Sequence, residues 1–363
     1  MNVMRLAPTG PSRRVLITGG CGFLGCNIAA ELAARGNDVV IADNLARRGA
    51  RENAEWLLQR HGDHIAVEVT DIRDESGLCP LVAGADAVMH LAAQVAVTTS
   101  LQDPLEDFEI NARGTLNVLE AVRRHNPDAP VIMASTNKVY GKLLEEQHVR
   151  RSDGRYEPAD KRLAQGVSEH AALDFHSPYG CSKGTADQYV HDYARVFGLR
   201  TLVLRMSCIY GPRQFGNEDQ GWIAHFLLRA LNDQPITIYG DGYQVRDALF
   251  VDDAVDAWLR ALDRIDDIGG RIFNLGGGPS NAVSLREMLS LIGEMLGRPA
   301  DVRYADWRPG DQPWYVSNID TIAQALAWKP QVPLPDGLRA LAHWLDQRPR
   351  DFAPAAPAWE MRA

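Results

Sequence analysis

Two side chains four residues apart could share one proton transfer. They are Tyr179 and Lys183 in the run Tyr179-Gly180-Cys181-Ser182-Lys183, which opens a helical stretch and so places a phenol and an ammonium on one face. A phenol of ordinary pKa near 10 is a poor base at neutral pH. Lowering it by roughly three units corresponds to about 4 kcal/mol of differential stabilisation, which Lys183 and a positively charged cofactor ring could supply together. Without such a setting, a Tyr/Lys pair of this kind is an ordinary surface pair.

A second motif provides the setting. Gly19-Gly20-Cys21-Gly22-Phe23-Leu24-Gly25 contains G-x-x-G-x-x-G between the apolar strand Arg14–Thr18 and a helix face of Leu24, Ile28 and Leu32 that stops at Gly36. Small residues there let backbone N–H groups approach a pyrophosphate at the positive end of the helix. Asp43 ends the next strand, 24 residues after Gly19. A carboxylate at that place can accept both ribose hydroxyls of an adenosine and repels a 2′-phosphate, which favours NAD over NADP. Arg47 and Arg48 follow closely and could serve a phosphate or belong to a solvated loop.

These residues need elements that hold them. Further strands are expected at Val39–Ala42, Ala66–Thr70, Ala87–Leu91, Val131–Ala134 and Thr201–Met206, with helices such as Ile110–Arg124 and Tyr179–Phe197 between several of them. Strands alternating with helices imply right-handed crossovers and a buried parallel sheet. The fold class is therefore α/β, a Rossmann-type doubly wound parallel sheet over residues 12–209, rejoined by about 247–274. From Tyr210 onward glycine, proline and aromatic residues interrupt shorter elements, as in Gly240-Asp241-Gly242-Tyr243. This reads as a smaller, interleaved substrate-binding lobe over 210–246 and 275–347, followed by a poorly ordered tail at 348–363.

Composition bounds the remaining possibilities. A chain of 363 residues, 45% hydrophobic and 23% charged, can bury a sizeable core and is not that of a disordered protein. A net charge of −9 speaks against nucleic acid or an anionic membrane as partner, and no run of about 18 apolar residues occurs. The five cysteines, at 21, 26, 79, 181 and 208, include no C-x-x-C pair and fit neither a disulfide framework nor a zinc site. No metal is implied. The opening MNVMRLAPTGPSRR has no apolar run before its charges end, so the expected location is cytoplasmic. Of 38 basic residues only five are lysine, which makes Lys183 and Lys138 conspicuous.

Ser135-Thr136-Asn137-Lys138-Val139-Tyr140-Gly141 follows the fifth strand, at the carboxyl edge of the sheet where ligands bind in doubly wound folds. With this run in place, the chain resembles the extended short-chain dehydrogenase/reductase family of nucleotide-sugar enzymes from about Arg14 to Leu345. The resemblance implies an enzyme with Thr136, Tyr179 and Lys183 as its catalytic residues, Thr136 hydrogen-bonding the reacting sugar oxygen. It implies that Gly19, Gly22, Phe23, Leu24, Gly25, Asp43 and Asn44 hold NAD together with Tyr179 and Lys183, the latter reaching the nicotinamide ribose, and that Asp71 and Ile72 flank its adenine. Leu91, Ala92 and Ala93 should line the cofactor, and Asn111 should hold the central helix near the nicotinamide. In the substrate site, Asn137 and Lys138 follow the catalytic threonine, and Arg246 and Arg308 match arginines that grip a diphosphate, a role suited to a forked, permanently charged group. Each arginine could equally form a surface salt bridge. His176 could contact the sugar or be structural, and Cys208 stands where many members carry asparagine.

The residues after Thr136 separate branches of the family. Its 4,6-dehydratases place Asp and Glu there, whereas Asn137 and Lys138 cannot act as carboxyl acids. The runs DNLARRGARENAEWL, DFHSPYGCSKGTADQYVHDYARVFGL, YGPRQFGNEDQGW and GYQVRDALFVDD are most similar to the 2-epimerase branch acting on CDP-linked hexoses. The implied activity is inversion at carbon 2 of a CDP-hexose of the paratose/tyvelose or glucose type, through a transient ketone, with NAD regenerated each turn. A 4-epimerase of the UDP-galactose type is the alternative; a 4,6-dehydratase or a non-catalytic NAD sensor fits less well. The 43 residues from Thr136 to Tyr179 form a long, polar interval that suggests a loop beside the sugar pocket. Helices around 111–124 and 179–197 commonly form a bundle between subunits in the family, so a homodimer or homotetramer is expected.

Overall fold

The structure is a computed structural model that describes residues 12–144, 146–308 and 310–348. Apart from Arg348, the expected tail lies outside them. Seven parallel strands form the central sheet. They are β1 (Arg14–Thr18), β2 (Asp38–Asp43), β3 (Ile65–Val69), β4 (Ala87–His90), β5 (Val131–Thr136) and the strands Thr201–Met206 and Ile272–Leu275. From one edge to the other the order is Ile272–Leu275, Thr201–Met206, β5, β4, β1, β2, β3. Packing on both faces explains why the inner strands are largely apolar. Val15 and Ile17 feed the core on one face while Leu16 feeds the other, and all three are fully buried.

The strand order reverses between β1 and β4, whose register pairs Thr18 with His90. At such a switch point the chain leaves the sheet in opposite directions and opens a crevice at the carboxyl ends of the strands. Helix α1 (Phe23–Ala34) starts at that edge behind Gly22, which offers no side-chain cap, and its first turn holds no acidic residue. Its leading N–H groups are therefore left to a ligand. Five α-helices among the described residues follow on the way to the catalytic pair: α2 (Ala50–His61), α3 (Glu75–Ala83), α4 (Val97–Gln102), α5 (Pro104–Phe108) and α6 (Gly114–His125). Helix α7 (Ser177–Phe197) then runs to Gly198, whose positive φ lets its N–H close on Ala194.

Two expectations are corrected. The helix read as Ile110–Arg124 is a π-helical turn, Glu109–Arg113, followed by α6. The wider turn buries Asn111 and Ala112 together, as π turns often do near functional sites. The polar interval after Thr136 is not a plain loop. It contains an antiparallel hairpin, Val149–Ser152 with Arg155–Pro158, joined by Asp153 and Gly154, both at positive φ. Val149 and Tyr156 carry it onto a third core cluster with Tyr140, Val167, Trp314 and Tyr315.

Beyond residue 207 the chain builds small sheets. Ile236–Tyr239 pairs with Val302–Ala305, and Val245–Phe250 pairs with Cys208–Tyr210, Ala282–Ser284 and Trp314–Tyr315. No helix among the described residues is long and apolar enough to cross a membrane.

Candidate active site

The glycine motif is built for close approach. Gly19 has φ +70°, and a Cβ placed there would lie 2.6 Å from the Ala92 nitrogen. A Cβ on Gly25 would lie 2.5 Å from the Gly19 carbonyl oxygen. Only glycine fits either position, and the space it leaves is at the start of α1. Phe23 and Leu24 form the first turn of that helix. Asp43 is anchored by two backbone donors, Cys21 N–H at 3.0 Å and Leu45 N–H at 2.8 Å. Burial pushes its carboxyl up, against the pull of those two donors. Each oxygen keeps a further lone pair for a ribose hydroxyl.

The neighbouring loop is equally ordered. Asn44 donates to Asp71 at 2.9 Å, and Asp71 also holds Arg73 in a bidentate pair, which keeps its carboxyl down at about 2. Ile72 is buried, and its carbonyl accepts from Asn117 at 3.1 Å. Leu91 N–H bonds the Thr18 carbonyl at 3.0 Å, and Ala92 N–H points at the Thr18 hydroxyl at 3.3 Å, with Ala93 next in the same segment. A cradle that any Cβ would fill, an uncapped helix start and an anchored carboxylate together fit a dinucleotide without a 2′-phosphate. Arg47 is open to solvent, yet protein groups crowd its guanidinium, and its charge is felt at Tyr179. Arg48 instead lines a cavity with Phe215 and Trp344.

The catalytic candidates converge from β5 and α7. Tyr179 is 8% exposed, its backbone N–H donates to Ser100 Oγ at 3.1 Å, and the Thr136 hydroxyl is near enough to its phenol to act on its pKa. Thr136 also accepts from Lys138 N–H at 3.2 Å, which fixes the turn that follows the strand. Lys183 is 4% exposed and donates to the Ala134 carbonyl at 2.7 Å. The electrostatics differ from the expectation of a depressed phenol. In the protein alone, burial pushes Tyr179 up to about 12; the Thr136 hydroxyl and Arg47 oppose this and Asp107 reinforces it. Burial brings Lys183 down to about 8, against the pull of Asp187 and Asp107.

The proposed substrate residues form two groups. Lys138 Nζ donates to the Gly310 carbonyl at 3.1 Å, and Arg246 pairs with the adjacent Asp311 at 2.6 Å. Burial brings Lys138 down to about 8, with Asp311 resisting and Arg246 assisting. Asn137 lies beside Thr136 and donates to Gln312 at 3.4 Å. Arg308 is separate: it lies 3.8 Å over the Tyr239 ring and donates to the Glu218 carbonyl at 2.9 Å. His176 pairs with Asp174 at 2.9 Å with about half its side chain exposed. Cys208 accepts from Trp222 Nε1 at 2.9 Å.

Residues that the motifs did not single out tie these parts together. Thr115 donates its proton to the Asn111 carbonyl at 2.6 Å, so toward His90 Nε2, at 2.9 Å, it can only accept. His90 Nδ1 is then an acceptor for the Thr18 hydroxyl at 2.7 Å, which frees that oxygen to accept from Ala92 N–H. Burial holds the imidazole neutral, its pKa down at about 3. One directional chain thus links the cofactor loop to Asn111. His90 is the last residue of β4, beside Leu91-Ala92-Ala93, and that adjacency was the available signal.

The sequence of residues 15–276 matches the NAD dependent epimerase/dehydratase family. The chain belongs to that family. Within it, the chain is 44% identical over 340 residues to a CDP-paratose 2-epimerase from Salmonella typhi, covering 91% of this chain and 98% of the relative. It is 30% identical to a putative UDP-glucose 4-epimerase from Methanocaldococcus jannaschii, covering 93% and 99%. Among solved structures, a UDP-glucuronic acid 4-epimerase from Bacillus cereus, in complex with UDP-glucuronic acid and NAD, superposes with a TM-score of 0.79 at 27% identity, covering 92% of this chain and 99% of that one. As a member of this epimerase/dehydratase family, the protein is an enzyme, and its cofactor is NAD.

Proposed function

We propose that the protein inverts carbon 2 of a CDP-linked hexose of the paratose/tyvelose or glucose type. The observation that carries this reading is that Thr136, at the end of β5, and Tyr179, at the start of α7, are brought together, with Asn137 and Lys138, and no carboxyl acid, in the two places after Thr136. Such a pair can move a proton on and off a sugar hydroxyl but has no acid beside it to expel one. Similarity to the Salmonella typhi relative supports carbon 2 and the cytidine nucleotide.

NAD, when bound, supplies a reversible acceptor for the hydrogen that leaves the sugar carbon, so the sugar passes through a ketone with no net redox change. Tyr179 as phenolate takes the hydroxyl proton and later returns it, while Thr136 hydrogen-bonds the same oxygen. Lys183, held by the Ala134 carbonyl at 2.7 Å, supports the phenol and reaches the nicotinamide ribose from the same helix face. Gly19, Gly22, Gly25 and Asp43 hold the cofactor, and the lobe formed by 210–246 and 275–347 receives the nucleotide-sugar, with Arg246, freed from Asp311, and Arg308 meeting the diphosphate. Substrate carrying deuterium at carbon 2, incubated without added cofactor and followed by NMR, should give an epimer that keeps the label at that carbon. Loss of label to solvent would rule the route out, and inversion at carbon 4 of a UDP-sugar would favour the 4-epimerase alternative.

The enzyme works as a homo-oligomer in this reading. Leu101 on α4, Leu105 and Phe108 on α5, and Tyr189, Val196 and Phe197 on α7 are each at least 42% exposed, on helices that pack against one another. A second copy of the chain would cover this apolar surface. Light scattering should report a dimer or tetramer that Leu105→Glu with Val196→Glu splits into smaller species; a monomeric wild type would contradict it. Five free cysteines suit a reducing cytoplasm.

A further inference from the structure

Asp107 on α5 is 1% exposed, and the proton transfer described above makes no use of it. Every hydrogen-bond donor to its carboxylate is neutral. Gln94 Nε2 reaches Oδ1 at 2.8 Å, Asn111 Nδ2 reaches the same oxygen at 3.2 Å, and Ser182 Oγ reaches Oδ2 at 2.5 Å. The two amides cannot turn round. Gln94 Oε1 is fixed by Ala96 N–H at 2.5 Å and Asn111 Oδ1 by Gln94 N–H at 2.9 Å, so both present nitrogen to the carboxylate. Three donors converge on two oxygens, a shell that favours the ionised form, and Lys183 favours it too, against the burial that pushes this carboxyl up. Ser182, the third donor, lies on α7 between Tyr179 and Lys183 and also reaches the Tyr179 carbonyl at 3.2 Å.

We propose that Asp107 is the buried counter-charge of the Tyr179–Lys183 pair, a positioning residue that keeps Lys183 cationic and sets the pH window in which the pair works. This rests on the proposed roles of Tyr179 and Lys183. Two carboxylates act on Lys183, and only Asp107 also acts on Tyr179. On α7, Asp187 supports Lys183 but is shared with Arg205 at 2.8 Å. From β4, His90 is neutral. From the loop after β2, Arg47 acts on Tyr179. Glu106 and Glu109 are engaged with Arg73 and Arg113 at the surface. The direction of coupling follows from Coulomb's law: Asp107 raises Lys183 and raises Tyr179, as their shifts show.

The test uses the holoenzyme isolated with its NAD and a nucleotide-sugar that the wild type epimerises. Asp107→Asn removes the charge at nearly constant shape. Both limbs of the kcat/KM profile should move to lower pH, by on the order of one unit, because Tyr179 ionises more readily and Lys183 sheds its proton more readily. Asp107→Glu should return the limbs toward their wild-type places. If Asp107→Asn does not retain NAD, Asp107→Ser is profiled instead. Lower activity with unmoved limbs, or limbs moved to higher pH, would overturn the proposal. Tyr179→Phe run alongside separates the two failures. Undiminished turnover there removes the roles of the pair itself, whereas an inactive Tyr179→Phe with unmoved Asp107→Asn limbs removes only the counter-charge.

Discussion

Tyr179→Phe should lower kcat by about 10²- to 10⁴-fold or more while leaving bound NAD and thermal stability close to wild type. The substitution deletes one hydroxyl from a ring that is 8% exposed and leaves the ring's packing in place. What disappears is the group that takes and returns the sugar proton. The size of the effect follows from how far the phenol must be tuned. In the protein alone its pKa is pushed to about 12, and each unit is about 1.4 kcal/mol, so a working pKa near neutrality calls for several kcal/mol of stabilisation by the bound cofactor. A site that concentrates so much on one hydroxyl has no second base: Thr136 keeps an ordinary alcohol, and Lys138 is drawn toward Gly310. Epimer formation followed by NMR and NAD content by absorbance decide the matter. Turnover within tenfold of wild type would remove Tyr179 from its role, and loss of NAD would show that the ring's hydroxyl serves the cofactor instead.

The sheet and the principal motifs were legible because their signals are local. An apolar run into glycines fixes β1, the cradle and α1, and the i, i+4 spacing of Tyr179 and Lys183 fixes their common face. β5 runs two residues past its apolar part because Ser135 and Thr136 pair in register with Arg205 and Met206, a tertiary effect that hydropathy does not report. The hairpin after Thr136 was readable and missed: Asp153-Gly154 sits between Val149–Ser152 and Arg155–Pro158, a two-residue turn signal set in polar sequence. Asp107 was hidden differently. It precedes Asn111 by four residues, yet the short α5 and the π turn rotate both inward, and no periodicity predicts that wider turn. His90 and Asp187 carry no motif of their own and become visible only through partners at least 18 residues away in the chain.

The second large effect lies behind the site. Arg205→Met should destabilise the protein by about 3–5 kcal/mol, because it strands a carboxylate in the core. Arg205 and Asp187 are 2% and 0% exposed and meet in a bidentate pair at 2.9 and 2.8 Å. Burial opposes the guanidinium's charge, but Asp187 outweighs it, and the pKa of Arg205 rises. Ser135 donates to the same carboxylate at 2.7 Å, and Arg205 also donates to the Tyr140 hydroxyl at 3.1 Å, which in turn donates to Asn274 at 2.7 Å. The pair therefore clamps both ends of the segment that carries Thr136, Asn137 and Lys138. Asp187 also lies one turn beyond Lys183 and supports its charge. Removing both charges at once, as Arg205→Met with Asp187→Leu, should recover much of the lost stability, since well-packed apolar side chains often replace a buried ion pair without loss. It should not recover turnover, because Ser135 would still lack the carboxylate that orients it and Lys183 the one that supports its charge. Thermal melts give the first quantity and NMR-followed epimerisation the second. A double variant as active as wild type would reduce the pair to packing, and a single Arg205→Met variant of unchanged stability would mean that Asp187 finds another partner.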